Sequence, residues 1–308
     1  MTDDVFVVVD KPQGLTSQQV VARVKRHLGC RKVGHTGTLD PLATGVLPLA
    51  LNRATRLIQY LDESRKVYSG EIELGIESDT LDRDGEIVAR YAGSLDYSEK
   101  EIADVFKRYL GCITQVAPIY SAIKSKGRPL YSYARSGIEV TPPERQVEID
   151  SFTLLSYQPP LVSFRVVCSK GTYVRSLAAD VGRELGCGAR IWSLRREASG
   201  SFRLDQAISL EELLEKAAAG ESMPLRSPLE FLGHLQTVVV ADPKMQEKIA
   251  HGVALPLTES LIPSSGINLD EEVVLVDGVG TLLALARYEC LENSSEQELR
   301  MVRVMMPQ

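Results

Sequence analysis

No apolar run in the 308 residues reaches the roughly 18 positions a membrane-spanning helix needs, so no transmembrane segment is expected. The N-terminal Met1-Thr2-Asp3-Asp4 is acidic where a secretory signal is basic, and only five apolar residues follow it. The expectation is a soluble, untargeted, cytoplasmic protein. Cysteine is scattered (Cys30, Cys112, Cys168, Cys187, Cys290) and never spaced C-x-x-C, which speaks against a zinc ribbon or a redox pair. The four histidines, His27, His35, His234 and His251, form no pair at helical ligand spacing, so no structural metal is expected. G-x-x-x-x-G-K-[ST] and G-x-G-x-x-G are both missing, and with them the usual nucleotide-phosphate cradles. G-x-S-x-G is missing too, which leaves a Ser/His/Asp triad little support. Residues 80–85 (TLDRDG) half-match a calcium loop around Gly85, but Thr80 stands at the first ligand position and Tyr91 at the twelfth. A polar turn is the expectation there.

What is present is an ordinary globular balance, 44% apolar and 25% charged, which supplies a sizeable core and about two domains at this length. The net charge of −6 argues superficially against nucleic acid, whose phosphates call for a basic footprint. The charge is unevenly spread, however. Residues 1–60 carry +4, residues 121–145 carry +3 and residues 163–203 carry +5, while residues 61–120 carry −6 and residues 204–308 carry −10. Three basic segments in an acidic frame would form one cleft if the fold gathered them, and three unrelated solvated faces if it did not.

Strands and helices intermix without a strict βαβ alternation, which predicts an α+β fold with a mixed or antiparallel sheet. Residues 5–9 (VFVVV) read as a buried strand. A capping box, Thr16-x-x-Gln19, opens a helix to Leu28 that Gly29 ends. A helix is expected over Asn52–Leu61 and a half-buried strand over 67–76. A second box, Ser98-x-x-Glu101, opens a helix closed by Gly111. Strand 161–168 leads through Lys170-Gly171 into a helix ending at Gly186, and another helix covers Ser209–Ala219. A Pro/Ser-containing stretch, 220–230, reads as a linker. Beyond it, short β-like runs at 237–240, 273–276, 281–288 and 300–306 around one short helix predict a small β-rich domain. The expected division is therefore 1–230 and 231–308.

The stretch 34–45 (GHTGTLDPLATG) has no periodicity and reads as a long, specified loop. Asp40 is its only carboxylate, and Pro41 biases Asp40 toward an extended backbone. Such a loop can hold one carboxylate toward a cleft as a nucleophile or general base. It can equally use the carboxylate to cap its own amides. A nucleophilic carboxylate needs to be ionised, which a neighbouring guanidinium favours, and Arg175 is one candidate among several.

These residues carry a resemblance. Residues 11–17 (KPQGLTS), 34–45 and 168–177 (CSKGTYVRSL) together resemble the TruB family of tRNA pseudouridine synthases. So do residues 66–85, with Tyr68 and Asp82, residues 118–139 (PIYSAIKSKGRPLYSYARSGIE) and residues 194–202 (LRREASGSF). The likeness runs in family order over about 1–230.

The resemblance implies isomerisation of uridine 55 in the T-loop of tRNA, from an N-glycosidic to a C-glycosidic bond, with no cofactor and no metal. It implies that Asp40 is the catalytic aspartate, that Tyr68 stacks on the target base and takes part in deprotonating C5, and that Arg175 pairs with Asp40. Tyr173 would line the same pocket. His35 would sit near the flipped nucleotide, and Lys11, in a motif beside the site, and Asp82 would be among the residues that bind the RNA substrate. Whether Asp40 attacks C1′ or the base, or abstracts a ribose proton to give a glycal, stays open. Extrusion of the base onto an aromatic face suits this chemistry, since the reacting N1 is inaccessible in a stack.

Residues 112–146 resemble the family's thumb insertion over the T-arm, with Lys124, Lys126, Arg128, Arg135 and Arg145 interleaved with Tyr120, Tyr131 and Tyr133. The C-terminal residues stand where the family carries a PUA-like RNA-binding module, although their acidity leaves its RNA contacts open. The partner expected is the tRNA T-arm, bound by a monomer without membrane or obligatory protein partner. Other readings stay open: a guide-dependent synthase, an RNA-binding or tRNA-folding protein, and an unrelated hydrolase using Asp40 with Asp82.

Overall fold

The computed structural model of the chain describes residues 4–62, 65–121, 123–125, 127–257, 261, 269–290 and 297–306. Phe6–Lys11 (β1) is buried along most of its length, as its continuous apolar run requires. Helix α1 (Ser17–His27) starts at Thr16, whose hydroxyl accepts the Gln19 amide while the Gln19 side chain accepts the Thr16 amide. Its Val20, Val21 and Val24 face the core, and Gly29 turns the chain at φ +62°.

Val33–His35 (β2) and Thr44–Leu51 (β3) bracket the glycine-rich loop, which shrinks to 36–43. The helix expected at 52–61 is instead two 3₁₀ turns, Asn52–Arg56 and Ile58–Tyr60. Asn52 sits at φ +53° with its side chain accepting the Arg31 amide, and the Thr55 hydroxyl bonds back to the Asn52 carbonyl. These local side-chain bonds compete with the helical ladder.

The next strand is Arg65–Leu74 (β4). It breaks at Gly75, φ +83°, before the hairpin of Ile76–Ser78 (β5) and Ile87–Arg90 (β6). Helix α2 (Glu99–Lys107) uses the Ser98/Glu101 capping box. Gly111–Val116 (β7) is followed by an excursion with a small hairpin, Lys124–Ser125 (β8) and Arg128–Pro129 (β9), and a short helix, Leu130–Arg135 (α3). The chain returns through Glu144–Gln158 (β10), Leu161–Ser169 (β11), Val174–Glu184 (α4) and Ala189–Ser199 (β12). Phe202–Arg203 (β13), Ile208–Ser209 (β14) and Leu210–Ala219 (α5) close this unit.

Apart from the β5/β6 and β8/β9 hairpins, these strands make one ten-stranded sheet, ordered β14-β1-β3-β12-β4-β11-β10-β7, with β2 against β3 and β13 against β12. β1/β14 and β3/β12 are parallel and the other pairs antiparallel, so the mixed-sheet expectation holds. Residues 112–116 pair with 144–148 inside this sheet, so the segment that leaves it is 117–143, shorter than the expected 112–146. Helices α1, α2, α4 and α5 contribute to the main core with Val7, Leu47, Ile72, Phe164 and Ile191 from the sheet.

The last part of the chain folds as Gln236–Val239 (β15), Pro243–Ala250 (α6), Leu255–Pro256 (β16), Glu272–Val276 (β17), Leu282–Cys290 (β18) and Gln297–Val304 (β19). Its sheet order is β15-β17-β18-β19-β16. A shared core joins this β-rich unit to the underside of the large sheet: Phe202 stacks on Phe231, Phe6 meets Phe202 at a tilt and Phe231 edge-on, and Val274, Leu285 and Met305 lie around them. Among the described residues no helix is long and apolar enough to cross a membrane.

Candidate active site

The loop 36–43 delivers Asp40 to a cavity of about 230 Å³ lined by Leu39, Ala43, Lys66, Tyr68, Tyr173 and Arg175 among others. That is below the roughly 300–1,000 Å³ of drug-sized ligand pockets, a size suited to a single small group. The walls come from residues in all three basic segments: Thr38–Asp40 from the first, Ser121 from the second, and Gly171–Arg175 with Leu194 from the third. The fold thus gathers the segments that composition alone left apart.

Asp40 stands at the mouth, its side chain 36% exposed, against Arg175, whose side chain is 5% exposed. Arg175 Nη2 donates to Asp40 Oδ1 at 3.2 Å; Nε lies 2.9 Å from Oδ2 but is not aligned to donate, and so acts as a charge contact. The rest of the guanidinium is fixed by the carbonyls of Thr80 (2.8 Å) and Tyr120 (3.0 Å), with Asp82 Oδ2 3.6 Å away. Helix α4 places Arg175 in its first turn, just after the Gly171 turn at φ +87°. Asp82 is buried, and burial raises its pKa against the opposing effects of the Thr80 hydroxyl bond (2.6 Å to Oδ1) and Arg175. Residues 80–85 are thus a turn that supports Arg175, as the polar-turn reading expects.

Tyr68, 7% exposed, forms the floor on β4, opposite Arg196 of β12 and Val166 of β11. Burial pushes its phenol pKa up, and the Arg196 guanidinium opposes that rise. Tyr173 lines the cavity just ahead of α4. Its backbone is clasped by Gln115, whose side chain accepts the Tyr173 amide at 2.8 Å and donates to its carbonyl at 3.0 Å, while Arg145 lies 5.2 Å over its ring.

Lys11 is fully buried and does not present its charge to the outside, where an RNA contact would be made. Its ammonium donates to the carbonyls of Leu15 (2.7 Å), Pro12 (2.9 Å) and Pro41 (3.3 Å), which ties the 12–15 turn to the Asp40 loop. Burial lowers its pKa to about 8, with Asp40 opposing and Arg196 adding to the fall. His35 lies at the end of β2, outside the cavity lining, with Nε2 3.2 Å from the Gln18 amide nitrogen. Burial lowers its pKa first, and Arg196 and Lys66 lower it further, which favours a neutral imidazole. Lys124 and Arg135 lie on the 117–143 excursion, in β8 and at the end of α3; their side chains are outside the described residues, as is Lys126 altogether.

Three residues of the site escaped the sequence reading. Arg196 is fully buried, and its fork donates to the carbonyls of Val46 (2.8 Å), Gly37 (3.1 Å) and Thr38 (3.4 Å), so it pins the loop that carries Asp40. Gln115 holds Tyr173, and Lys66 shares the floor with Tyr68. A period of two along β4 puts Lys66 on the face of Tyr68, a signal the sequence offered. Arg196 and Gln115 gave none, because their partners are backbone atoms of distant segments. Among the described residues no three His, Cys, Asp or Glu side chains gather as a metal would need.

The architecture is shared with solved structures. One is a chain of an H/ACA ribonucleoprotein bound to a substrate RNA containing 2′-deoxyuridine, 27% identical with a TM-score of 0.72, covering 98% of this chain and 85% of that one. Another is a chain of a Cbf5-Nop10-Gar1 complex, 28% identical with a TM-score of 0.73 and the same coverage. The first of these chains comes from an RNA-bound complex, and what it shares with this chain is the overall architecture. The chain belongs to the TruB family of pseudouridylate synthases: that family's N-terminal domain matches residues 25–174, and the tRNA pseudouridylate synthase B C-terminal domain matches residues 175–235. A tRNA pseudouridine synthase B of Geobacter sulfurreducens is 44% identical over 98% of this chain and 99% of its own length. The one of Syntrophus aciditrophicus is 49% identical over 92% and 91%. The boundary at 174/175 does not separate folding units, because β12 lies between β3 and β4 in one sheet.

Proposed function

We propose that the chain isomerises uridine 55 in the T-loop of tRNA to pseudouridine, with Asp40 as the catalytic group. One observation carries the assignment: a half-exposed carboxylate, held by a buried arginine, at the mouth of a base-sized cavity floored by tyrosine. The uridine is extruded from the stacked loop so that its ribose meets Asp40 and its base passes onto the Tyr68 ring. Asp40 then acts on the sugar, as nucleophile at C1′ or as base at C2′, and the freed uracil rotates to present C5. Arg175, backed by Asp82, fixes Asp40. With its pKa raised by burial, the Tyr68 phenol serves the bound base as stacking face and donor rather than as a ready base. Tyr173 flanks the pocket, and His35, neutral and beside the Asp40 loop, meets the opened T-loop.

The basic excursion 117–143, with Lys124 and Arg135, serves as a thumb on the T-arm, where shape and backbone contacts dominate recognition. Residues 1–230 form the catalytic unit and residues 231–308 a PUA-like accessory unit. The enzyme acts in the cytoplasm as a monomer that needs no partner protein.

Tritium release from C5-labelled uridine in an unmodified tRNA transcript, under single turnover, tests this. Wild type should release label mapped to the T-loop, while Asp40→Asn should fold, bind tRNA and release none. Turnover by Asp40→Asn near the wild-type rate refutes the role of Asp40. Tight binding without release by either protein favours a guide-dependent enzyme or an RNA-folding protein.

A further inference from the structure

The cavity holds a second cation besides Arg175. Lys66 is 8% exposed and lies two residues from Tyr68 on the same face of β4, so both side chains line the deep end of the cavity. Exposure orders the site by depth: Asp40 at 36% marks the mouth, Tyr68 and Lys66 the floor. A nucleotide whose ribose meets Asp40 therefore brings its base, not its phosphate, to Lys66.

The glycine-rich loop passes close to this ammonium. A Cβ at Gly37 would fall 2.6 Å from Lys66 Nζ, closer than real contacts allow, so glycine at 37 leaves the space the ammonium occupies. Arg175 is committed to two carboxylates and two carbonyls, and Arg196 to three carbonyls. Lys66 is not without a partner in the protein, and a contact with the substrate would add to that one.

We propose that Lys66 is a further catalytic residue: its ammonium donates to a carbonyl oxygen of the uracil and stabilises the anion formed when the glycosidic bond breaks. The inference rests on the pseudouridine synthase reading of this site. When N1–C1′ cleaves, the bonding electron pair leaves with N1 and spreads onto O2 and O4 of the uracil. C1′ is made good either by a bond to the Asp40 carboxylate or by loss of the C2′ proton to it. After rotation C5 bonds to C1′, that ester or proton transfer is reversed, and the C5 proton passes to solvent while N1 takes one up, so the proton count is unchanged and no external electron or group is consumed. A donor fixed on the departing base acts where charge develops, the placement that makes oxyanion-type stabilisation effective.

Single-turnover loss of the N-glycosidic nucleoside tests this with two transcripts, one bearing uridine at position 55 and one bearing 5-fluorouridine. Fluorine stabilises the uracil anion by itself, so less help from a cation is needed. Lys66→Met should slow consumption of uridine by about 100-fold or more, with tRNA affinity within a few-fold of wild type and a distinctly smaller deficit on 5-fluorouridine. Gly37→Ala keeps the lysine but displaces its ammonium, and should show a smaller deficit with the same substrate dependence; it supplies the test if Lys66→Met does not fold. Equal deficits on both transcripts, or a loss confined to affinity, overturn the inference and leave the function standing. Failure of wild type to consume uridine overturns both.

Discussion

Arg196→Met is the perturbation that most directly probes how this fold holds the loop that carries Asp40. The side chain is fully buried and spans β12 to the segment 37–46 through three carbonyl contacts of 2.8, 3.1 and 3.4 Å. A hydrogen bond to a charged group contributes about 1.5–3 kcal/mol net, and the longest contact adds little. Two effective bonds, with methionine filling most of the volume, give an expected destabilisation of about 3–6 kcal/mol. Against a total of about 5–15 kcal/mol the variant still folds. The loop bearing Asp40 loses its anchor, however, and a misplacement of about 1 Å can cost about 100-fold in rate. Urea unfolding gives the first number and single-turnover tritium release the second. Arg196→Lys keeps the charge but lacks the fork that reaches three carbonyls, so it should rescue little of either. A destabilisation below about 1 kcal/mol together with near wild-type turnover would refute the anchoring argument.

Two further outcomes follow from the loop and its underside. Gly45 has φ +101° and approaches Arg196 so closely that a Cβ would lie 2.2 Å from its carbonyl oxygen. Gly45→Ala must separate β3 from β12 and should cost about 3 kcal/mol or more, read as a lowered urea midpoint; an unchanged midpoint counts against that close approach. Lys11 has its pKa lowered from 10.5 to about 8, so between those values the unfolded chain binds more protons than the folded one. Wild type should therefore gain stability relative to Lys11→Met as pH rises from about 8 to about 10.5, with a constant difference below that window. A difference that stays flat across it would show that the buried ammonium is not perturbed.

The chain itself determined its local structure where the signals were chemical and short-range. Thr16/Gln19 and Ser98/Glu101 start their helices because hydroxyl and side-chain acceptor satisfy orphan amides within one turn. The Gly-His-x-Gly-Thr-Leu-Asp-Pro string marked Asp40, and Tyr68 and Arg175 stood in equally legible motifs. Other elements were hidden by their own irregularity. β10 and β12 change register at 149/151, 154/156, 191/193 and 196/198, and each slip turns the alternating pattern over, so neither strand reads as one. The residues at 52–61 have helical composition, yet Asn52 in the left-handed region and its side-chain bonds divert them.

Tertiary structure alone decided what holds the site. Arg196 in an Arg-Arg-Glu run looks like solvated charge, and Gln115 like an exposed strand residue, until the sheet order sets one under the Asp40 loop and the other beside Tyr173. It also decided that three basic segments meet at one cavity. Local propensity acts over one or two turns of chain, whereas Arg175 meets Asp40 across 135 residues and Arg196 meets Gly37 across 159. Only the pairing of β12 between β3 and β4 brings such distances to hydrogen-bonding range.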